Sequence, residues 1–215
     1  MTRWGMVIDA KTCVGCYACM LACKQEHFLS PTVAWNRLIF KEEGKYPAVK
    51  ERMVSVLCNH CEDAPCVAAC PTGASYKRED GIVLVDHDKC VGCTACVMAC
   101  PYHQRTYIDE IRESFPGQGF TAPELLGQQL YPHTPGTVDK CVFCAERIDA
   151  GIAAGKVPGK DRAATPACVN TCMTKSRHFG DLDDPTSEVS SLIRSHNGKP
   201  LHPEMGTKPS VYYID

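Results

Sequence analysis

Long apolar runs are missing from this sequence. Nowhere in its 215 residues does an uninterrupted stretch approach the roughly 20 residues that a helix needs to cross a bilayer. A membrane connection is therefore expected through a partner, with the chain itself soluble. The amino-terminal stretch Met1-Thr2-Arg3-Trp4-Gly5-Met6-Val7-Ile8-Asp9 lacks the apolar core of a secretory signal and has no paired arginines. The expectation is a chain with no export signal or membrane span of its own, assembled in the cytoplasm. An excess of charge is also missing: the formal net charge is −2 and no block of lysine or arginine stands out, which excludes a nucleic-acid footprint. Neither G-x-G-x-x-G nor G-x4-G-K-[ST] occurs, so the common phosphate-cradling loops are excluded. Leftover cysteine is the last absence, and it leaves no thiol for a nucleophile.

All 16 cysteines fall into four groups of four. Cys13, Cys16, Cys19 and Cys23 are spaced C-x2-C-x2-C-x3-C, and Cys90, Cys93, Cys96 and Cys100 repeat that spacing before Pro101. Cys58, Cys61, Cys66 and Cys70 read C-x2-C-x4-C-x3-C before Pro71. The fourth group is Cys141, Cys144, Cys168 and Cys172, with 23 residues between its second and third members. Disulfides within such tight clumps would be strained and would close only trivial loops. Zinc is the stronger rival, because C-x2-C is its commonest half-site, but structural zinc needs only two such pairs per ion. A third cysteine two residues on and a fourth three further, followed by proline, is the spacing of bacterial ferredoxins. Four [4Fe-4S] clusters, each held by four thiolates, are expected.

Cys58 to Pro101 resembles a complete two-cluster ferredoxin, in which the fourth cysteine of each run serves the other cluster. That logic assigns Cys58, Cys61 and Cys66 with Cys100, and Cys90, Cys93 and Cys96 with Cys70. Extended to the outer groups, which lack the proline, it assigns Cys13, Cys16 and Cys19 with Cys172, and Cys141, Cys144 and Cys168 with Cys23. Pairing group one with two and three with four is the alternative, but it would split the self-contained inner unit. The expected fold is α+β, with two nested ferredoxin-like domains, long irregular loops and a C-terminal helical segment. Residues 51–101 form the inner domain, and residues 1–50 plus 102–215 the outer one. Strands are expected over Gly5–Asp9, Met53–Leu57 and Gly81–Asp86, the last as the second strand of a hairpin. Ala64–Cys70 and Thr94–Cys100 should each run into one or two helical turns that carry the last cysteine. Helices are expected after Thr121 with Pro123 in the first turn, over Cys144–Ala154, and from a cap at Asp184 through Val189, Leu192 and Ile193 to Asn197-Gly198. That last apolar stripe should pack on the chain's own core. The loops Tyr102–Lys140 and Ala145–Ala167 are long enough to cover a site or meet a partner, or to be exposed and variable.

A cluster with four thiolates has no open position for substrate; the protein tunes its potential through hydrogen bonds, burial and charge. Candidate tuning groups are Asn59, His60 and His87, with a surface position the alternative for each histidine. Tyr17, Tyr102 and Phe143 sit beside ligands and are expected to keep water out. Lys24, Lys77, Lys89 and Lys140 would offset cluster charge or be solvated.

These groups, the run Leu57-Cys58-Asn59-His60-Cys61-Glu62-Asp63-Ala64-Pro65-Cys66 and the later Phe179-Gly180-Asp181-Leu182-Asp183-Asp184-Pro185 together resemble a known family. It is the four-cluster ferredoxin-type beta subunit of molybdopterin oxidoreductases, of the dimethyl sulfoxide, polysulfide, thiosulfate and respiratory arsenate reductase type. The resemblance implies a non-catalytic relay of single electrons. Its partners would be a large subunit carrying a molybdenum or tungsten pterin and a quinone-linked membrane subunit or soluble carrier. Export, where it occurs, would carry the folded chain to the periplasm with its catalytic partner. Because Cys90, Cys93, Cys96 and Cys100 are all present, all four centres should be [4Fe-4S]. The electron-transfer subunits of hydrogenases and formate dehydrogenases are the alternative, followed by a zinc-stabilised interaction module.

Overall fold

In the computed structural model, which describes residues 2–215, the chain opens with β1 (Trp4–Asp9). Met1, counted in the expected outer domain, lies outside the described residues. Alternate side chains of β1 go to opposite faces. Trp4, Met6 and Ile8 enter the main core with Phe179 and Val211, while Val7 meets Val189 and Ile214. Burial on both faces explains why the strand reads as an unbroken apolar run. Next, α1 (Ala18–Glu26) carries Cys19 and Cys23 one turn apart on one side.

The hairpin of β2 (Asn36–Glu43) and β3 (Lys50–Leu57) runs from Asn36 opposite Leu57 to Glu43 opposite Lys50. Its outer half is polar and exposed, so the ladder extends three residues beyond the strand expected from apolar patterning. It also straddles the expected division between residues 50 and 51. The single turn α2 (Pro65–Ala68) precedes a second hairpin, β4 (Ser75–Lys77) with β5 (Val83–Val85). Gly81, expected in that strand, takes φ +83° and belongs to the turn, its N–H bonded to the Arg78 carbonyl at 3.1 Å. Another single turn, α3 (Ala95–Met98), carries Cys96.

The long segment after group three is tied at its base by the two-residue pair β6 (Thr106–Tyr107) and β7 (Val138–Asp139). Between them α4 (Ala122–Leu130) begins as expected: Glu124 reaches back to the Thr121 N–H at 2.7 Å in a capping box. This segment lies along α1 and bounds a cleft of about 680 Å³ that includes Leu21, Phe28 and Ile111.

Past α5 (Ala145–Ala153), a 3-10 turn over Arg162–Ala164 packs back on that helix and leads to the single turn α6 (Ala167–Asn170). Then β8 (Arg177–Asp181), α7 (Glu188–Ser195) and β9 (Val211–Ile214) complete the chain. The three-stranded sheet has the order β8–β1–β9, antiparallel on one side and parallel on the other. The cap of α7 is Ser187, whose Oγ accepts from the Ser190 N–H at 3.2 Å, and not the expected Asp184. Asp184 instead accepts from the Thr186 N–H at 2.8 Å, closing a local turn one step earlier. Val189, Leu192 and Ile193 pack on Val7 and Ile214, as their spacing predicts.

The whole is an α+β fold of small sheets joined by cysteine-bearing loops. Its main core draws on Trp4, Met6 and Phe179 from the expected outer domain, and on Leu57 and Ile82 from the inner one. No helix among the described residues is long and apolar enough to cross a membrane.

Candidate metal centres

The four cysteine loops share one backbone feature. The residue before the second cysteine has positive φ in every group: Gly15 at +64°, His60 at +42°, Gly92 at +67° and Phe143 at +54°. This left-handed step reverses the chain between the first two cysteines. Turns of this kind gather backbone N–H groups into a concavity suited to anions and iron–sulfur centres. In three groups the next residues repeat it: Tyr17, Thr94 and Cys144 have φ of +61°, +58° and +53° and start α1, α3 and α5.

Cys58, Cys61, Cys66 and Cys100 line a single small cavity closed by Pro65, Val83, Tyr102 and Arg105. Three of these thiols come from group two and the fourth from group three. Burial pushes the Cys61 thiol up to about 12, and the charges of Cys58, Cys66 and Cys100 press in the same direction. Cys23 is surrounded likewise: burial holds it well above the ordinary thiol range, and Cys141, Cys168 and Cys144 add to the effect. Thus the last cysteine of group one lies with the first three of group four. Between these sets, Cys141 lies close enough to Cys58 to feel its charge. Cys168 feels Cys19, and Cys66 and Cys96 share one apolar cluster with Cys90.

Cys13 and Cys90 are half-buried, while Cys16 and Cys93 are exposed. Cys70 and Cys172 are each fixed by their own loop, accepting the N–H of Ser75 and of Ser176 at 3.3 Å.

A tetrahedral zinc site would hold its sulfurs about 3.8 Å apart. Among the described residues no three Cys, His, Asp or Glu side chains converge closely enough for one ion. Four thiols around a common cavity, with burial making Cys61 and Cys66 less acidic, suit a larger, positively charged inorganic core. The cavity wall adds a second sign: Asn59 Nδ2, Asn59 Oδ1 and Arg105 Nε are buried without a protein partner. The thiols present therefore fit a cubane cluster.

Comparison with known proteins agrees. The 4Fe-4S dicluster domain matches residues 49–115. The arsenate respiratory reductase iron-sulfur subunit ArrB of Shewanella sp. (strain ANA-3) is 39% identical over 239 residues, spanning 99% of this chain and 96% of that one. One subunit of the sulfite dehydrogenase of Allochromatium vinosum is 40% identical over 230 residues, spanning 100% and 83%. One subunit of the selenate reductase of Mesobacillus selenatarsenatis is 38% identical over 223 residues, spanning 99% and 72%. The chain belongs to the family of iron–sulfur subunits of molybdopterin oxidoreductases.

In this iron–sulfur subunit the groups around the thiols divide unevenly between those expected and those missed. Of the four lysines proposed to offset charge, only Lys140 is fully buried, its Nζ donating to the carbonyls of Val83 and Cys141. Lys24 ties down the loop after α1 through the carbonyls of Ser30, Pro31 and Val33. Lys77 bonds the Glu62 carbonyl, and Lys89 pairs with Asp86 at the surface. His60 is wholly buried and not a surface residue; burial keeps it neutral, and its Nδ1 accepts the Val83 N–H at 3.0 Å. Tyr102 and Phe143 are buried as expected, whereas Tyr17 is exposed and leans on Phe40, so it shields little.

Two buried arginines and a histidine gave no signal in the sequence. Arg105 donates to Cys66 Sγ at 3.1 Å and to Ser75 Oγ at 2.8 Å. Arg177 bonds Asn36 and Ser55 beneath Cys168. His27, one turn beyond Cys23, has its Nε2 3.3 Å from Cys144 Sγ and its ring 4.7 Å from that of Trp35. Burial, aided by His133, holds His27 neutral with a pKa of about 4, so an uncharged ring nitrogen faces the Cys144 sulfur. His87, weighed as a tuning group or a surface residue, pairs with Asp139 at 2.8 Å.

Proposed function

We propose that this subunit is a non-catalytic wire of four [4Fe-4S] clusters. The first is held by Cys13, Cys16, Cys19 and Cys172, and the second by Cys141, Cys144, Cys168 and Cys23. The third is held by Cys58, Cys61, Cys66 and Cys100, and the fourth by Cys90, Cys93, Cys96 and Cys70. The observation that carries this reading is the single cavity in which Cys100 joins Cys58, Cys61 and Cys66. The neighbouring pairs Cys19 with Cys168, Cys141 with Cys58, and Cys66 with Cys96 support the order of the row.

When bound, each cluster supplies one-electron chemistry without an open coordination site. The residues of this chain do the rest. Nested loops, residues 51–101 within 1–50 plus 102–215, keep the sites at constant separation. Burial of the middle thiols excludes water. The row ends at the exposed Cys16 and Cys93, each bordered by exposed apolar side chains: Val14, Leu21 and Met173 at one end, Val91 and Met98 at the other. Electrons enter and leave there, between a large molybdenum- or tungsten-pterin subunit and a quinone-linked membrane subunit or soluble carrier. Relatives named for arsenate, selenate and sulfite are 38–40% identical to this chain, so the substrate is decided in the catalytic partner. Loading of the clusters is cytoplasmic, and any export is of the folded chain together with that partner.

Anaerobic metal analysis tests the cofactor: about 16 iron and as much sulfide per chain are expected, and zinc in their place overturns the reading. Cys100→Ser should damage the same spectroscopic centre as Cys58→Ser, and Cys23→Ser the same centre as Cys141→Ser. If each serine variant instead matches its own sequence group, the exchange is wrong. Substrate turnover by the chain without a partner would sink the non-catalytic role.

A further inference from the structure

Three buried cations stand in this molecule without an acidic partner. Arg105, Lys140 and Arg177 are 5%, 2% and 4% exposed, and none pairs with an Asp or Glu among the described residues. An isolated charge in a protein interior is strongly disfavoured unless an opposite charge is near. The opposite charge in each case is thiolate, and the thiolates belong to two different ligand sets.

Arg177 faces Cys168 of the second set and Cys19 of the first. Its Nη2 also bonds Ser55 Oγ, which lies 3.9 Å from Cys19 Sγ. Burial and the nearby Arg105 disfavour the charge of Lys140, while Cys58 and Cys66 of the third set and Cys141 of the second favour it. Its ammonium is pinned there by the carbonyls of Cys141, at 2.8 Å, and Val83. Arg105 touches Cys66 of the third set at 3.1 Å, and faces Cys58 of that set and Cys96 of the fourth. Four sets in a row leave three gaps, and each cation faces thiols from both sides of one of them.

We infer that Arg177, Lys140 and Arg105 are bridging residues that set the potentials of adjacent clusters in pairs, one residue for each junction of the wire. This rests on the ligand sets proposed above. An arriving electron adds one negative charge to a site. A cation between two sites stabilises that charge on either of them, and the low dielectric of the interior strengthens the effect. The same cation offsets the repulsion between electrons on neighbouring sites. A positive charge confined to one cluster would favour that site and leave the electron there. Sharing it between two keeps their potentials together, which is what a relay needs.

The test is an EPR-monitored redox titration of the iron-loaded complex. Lys140→Met should lower the equilibrium constant for reduction of the second and third clusters at least tenfold, about 59 mV for one electron. The first and fourth should stay within threefold. Arg177→Met should move the first and second clusters, and Arg105→Met the third and fourth. Charge-conserving Arg105→Lys, Arg177→Lys and Lys140→Arg should keep all four potentials within threefold. They decide the matter should a methionine variant shed iron. A shift confined to one cluster, an equal shift of all four, or unchanged potentials at full iron content overturns the inference. So does a charge-conserving variant that shifts as far as its methionine counterpart. Iron content and the number of couples in the unaltered chain report separately on the four-cluster reading.

Discussion

The imidazole of His60 stacks on the ring of Phe143, with centroids 3.8 Å apart and planes 27° from parallel. The two residues occupy the same place in groups two and four, before the second cysteine, and share the left-handed backbone of that position. Their stack joins the loop of the Cys58 set to the loop of the Cys141 set. Phe143→Ala should cost about 3–5 kcal/mol, read as a lower thermal midpoint for loss of visible absorbance. Both sets should bleach together. Phe143→Leu, which keeps most of the buried volume, should cost roughly a third of that. Equal midpoints for Phe143→Ala and the unaltered chain would show that the stack is incidental.

Gly15 and Gly92 have nearly the same φ, yet their surroundings differ. A Cβ on Gly92 would lie 2.1 Å from the backbone carbonyl of Gly136, whereas one on Gly15 would meet the flexible end of Met53. Left-handed φ alone costs a non-glycine residue about 1–2 kcal/mol. Gly15→Ala should lose about that much stability and keep its iron. Gly92→Ala should lose more and release iron from one site, as measured by unfolding and iron content. Comparable loss from the two variants would contradict this ranking.

A pH effect follows from His87, Asp139 and His133. His87 Nε2 and His133 Nδ1 lie 2.8 and 2.6 Å from the two carboxylate oxygens of Asp139. Burial opposes it, but these two hydrogen bonds hold the Asp139 carboxyl down at about 2. The bond to Asp139 raises His87, and it raises His133 against the effect of burial. A depressed carboxyl stabilises above its ordinary value near ~3.9 and loses that contribution as pH falls toward 2. A raised histidine stabilises fully below its ordinary value near ~6.5 and loses it as pH rises through the raised value. Thermal stability should therefore decline on the alkaline side. Asp139→Asn should flatten that limb and cost about 3 kcal/mol at pH 6. An unchanged alkaline slope in this variant rules the network out as its cause.

Much of this protein was written in local order. Sixteen cysteines at repeating intervals specify thiolate chemistry, because cluster ligation depends on short spacings along one loop. The helix cap at Thr121, the stripe of α7 and the strand β1 were legible for the same reason: each is set by neighbours a few residues away. The proposed exchange of Cys23 and Cys100 between groups was reachable only by analogy with ferredoxins. Their surroundings, Cys141 and Cys144 for one, Cys58 and Cys61 for the other, come from distant parts of the chain. Arg105, Arg177 and His27 were illegible, since a lone cation or imidazole in sequence carries no mark of burial. Tertiary packing made them part of the site by removing water from around them and setting them beside cysteine sulfur. Composition and spacing thus determined which cofactor the chain holds. The fold decided which thiols lie near one another and which charges lie beside them, because those depend on distances that no short-range pattern encodes.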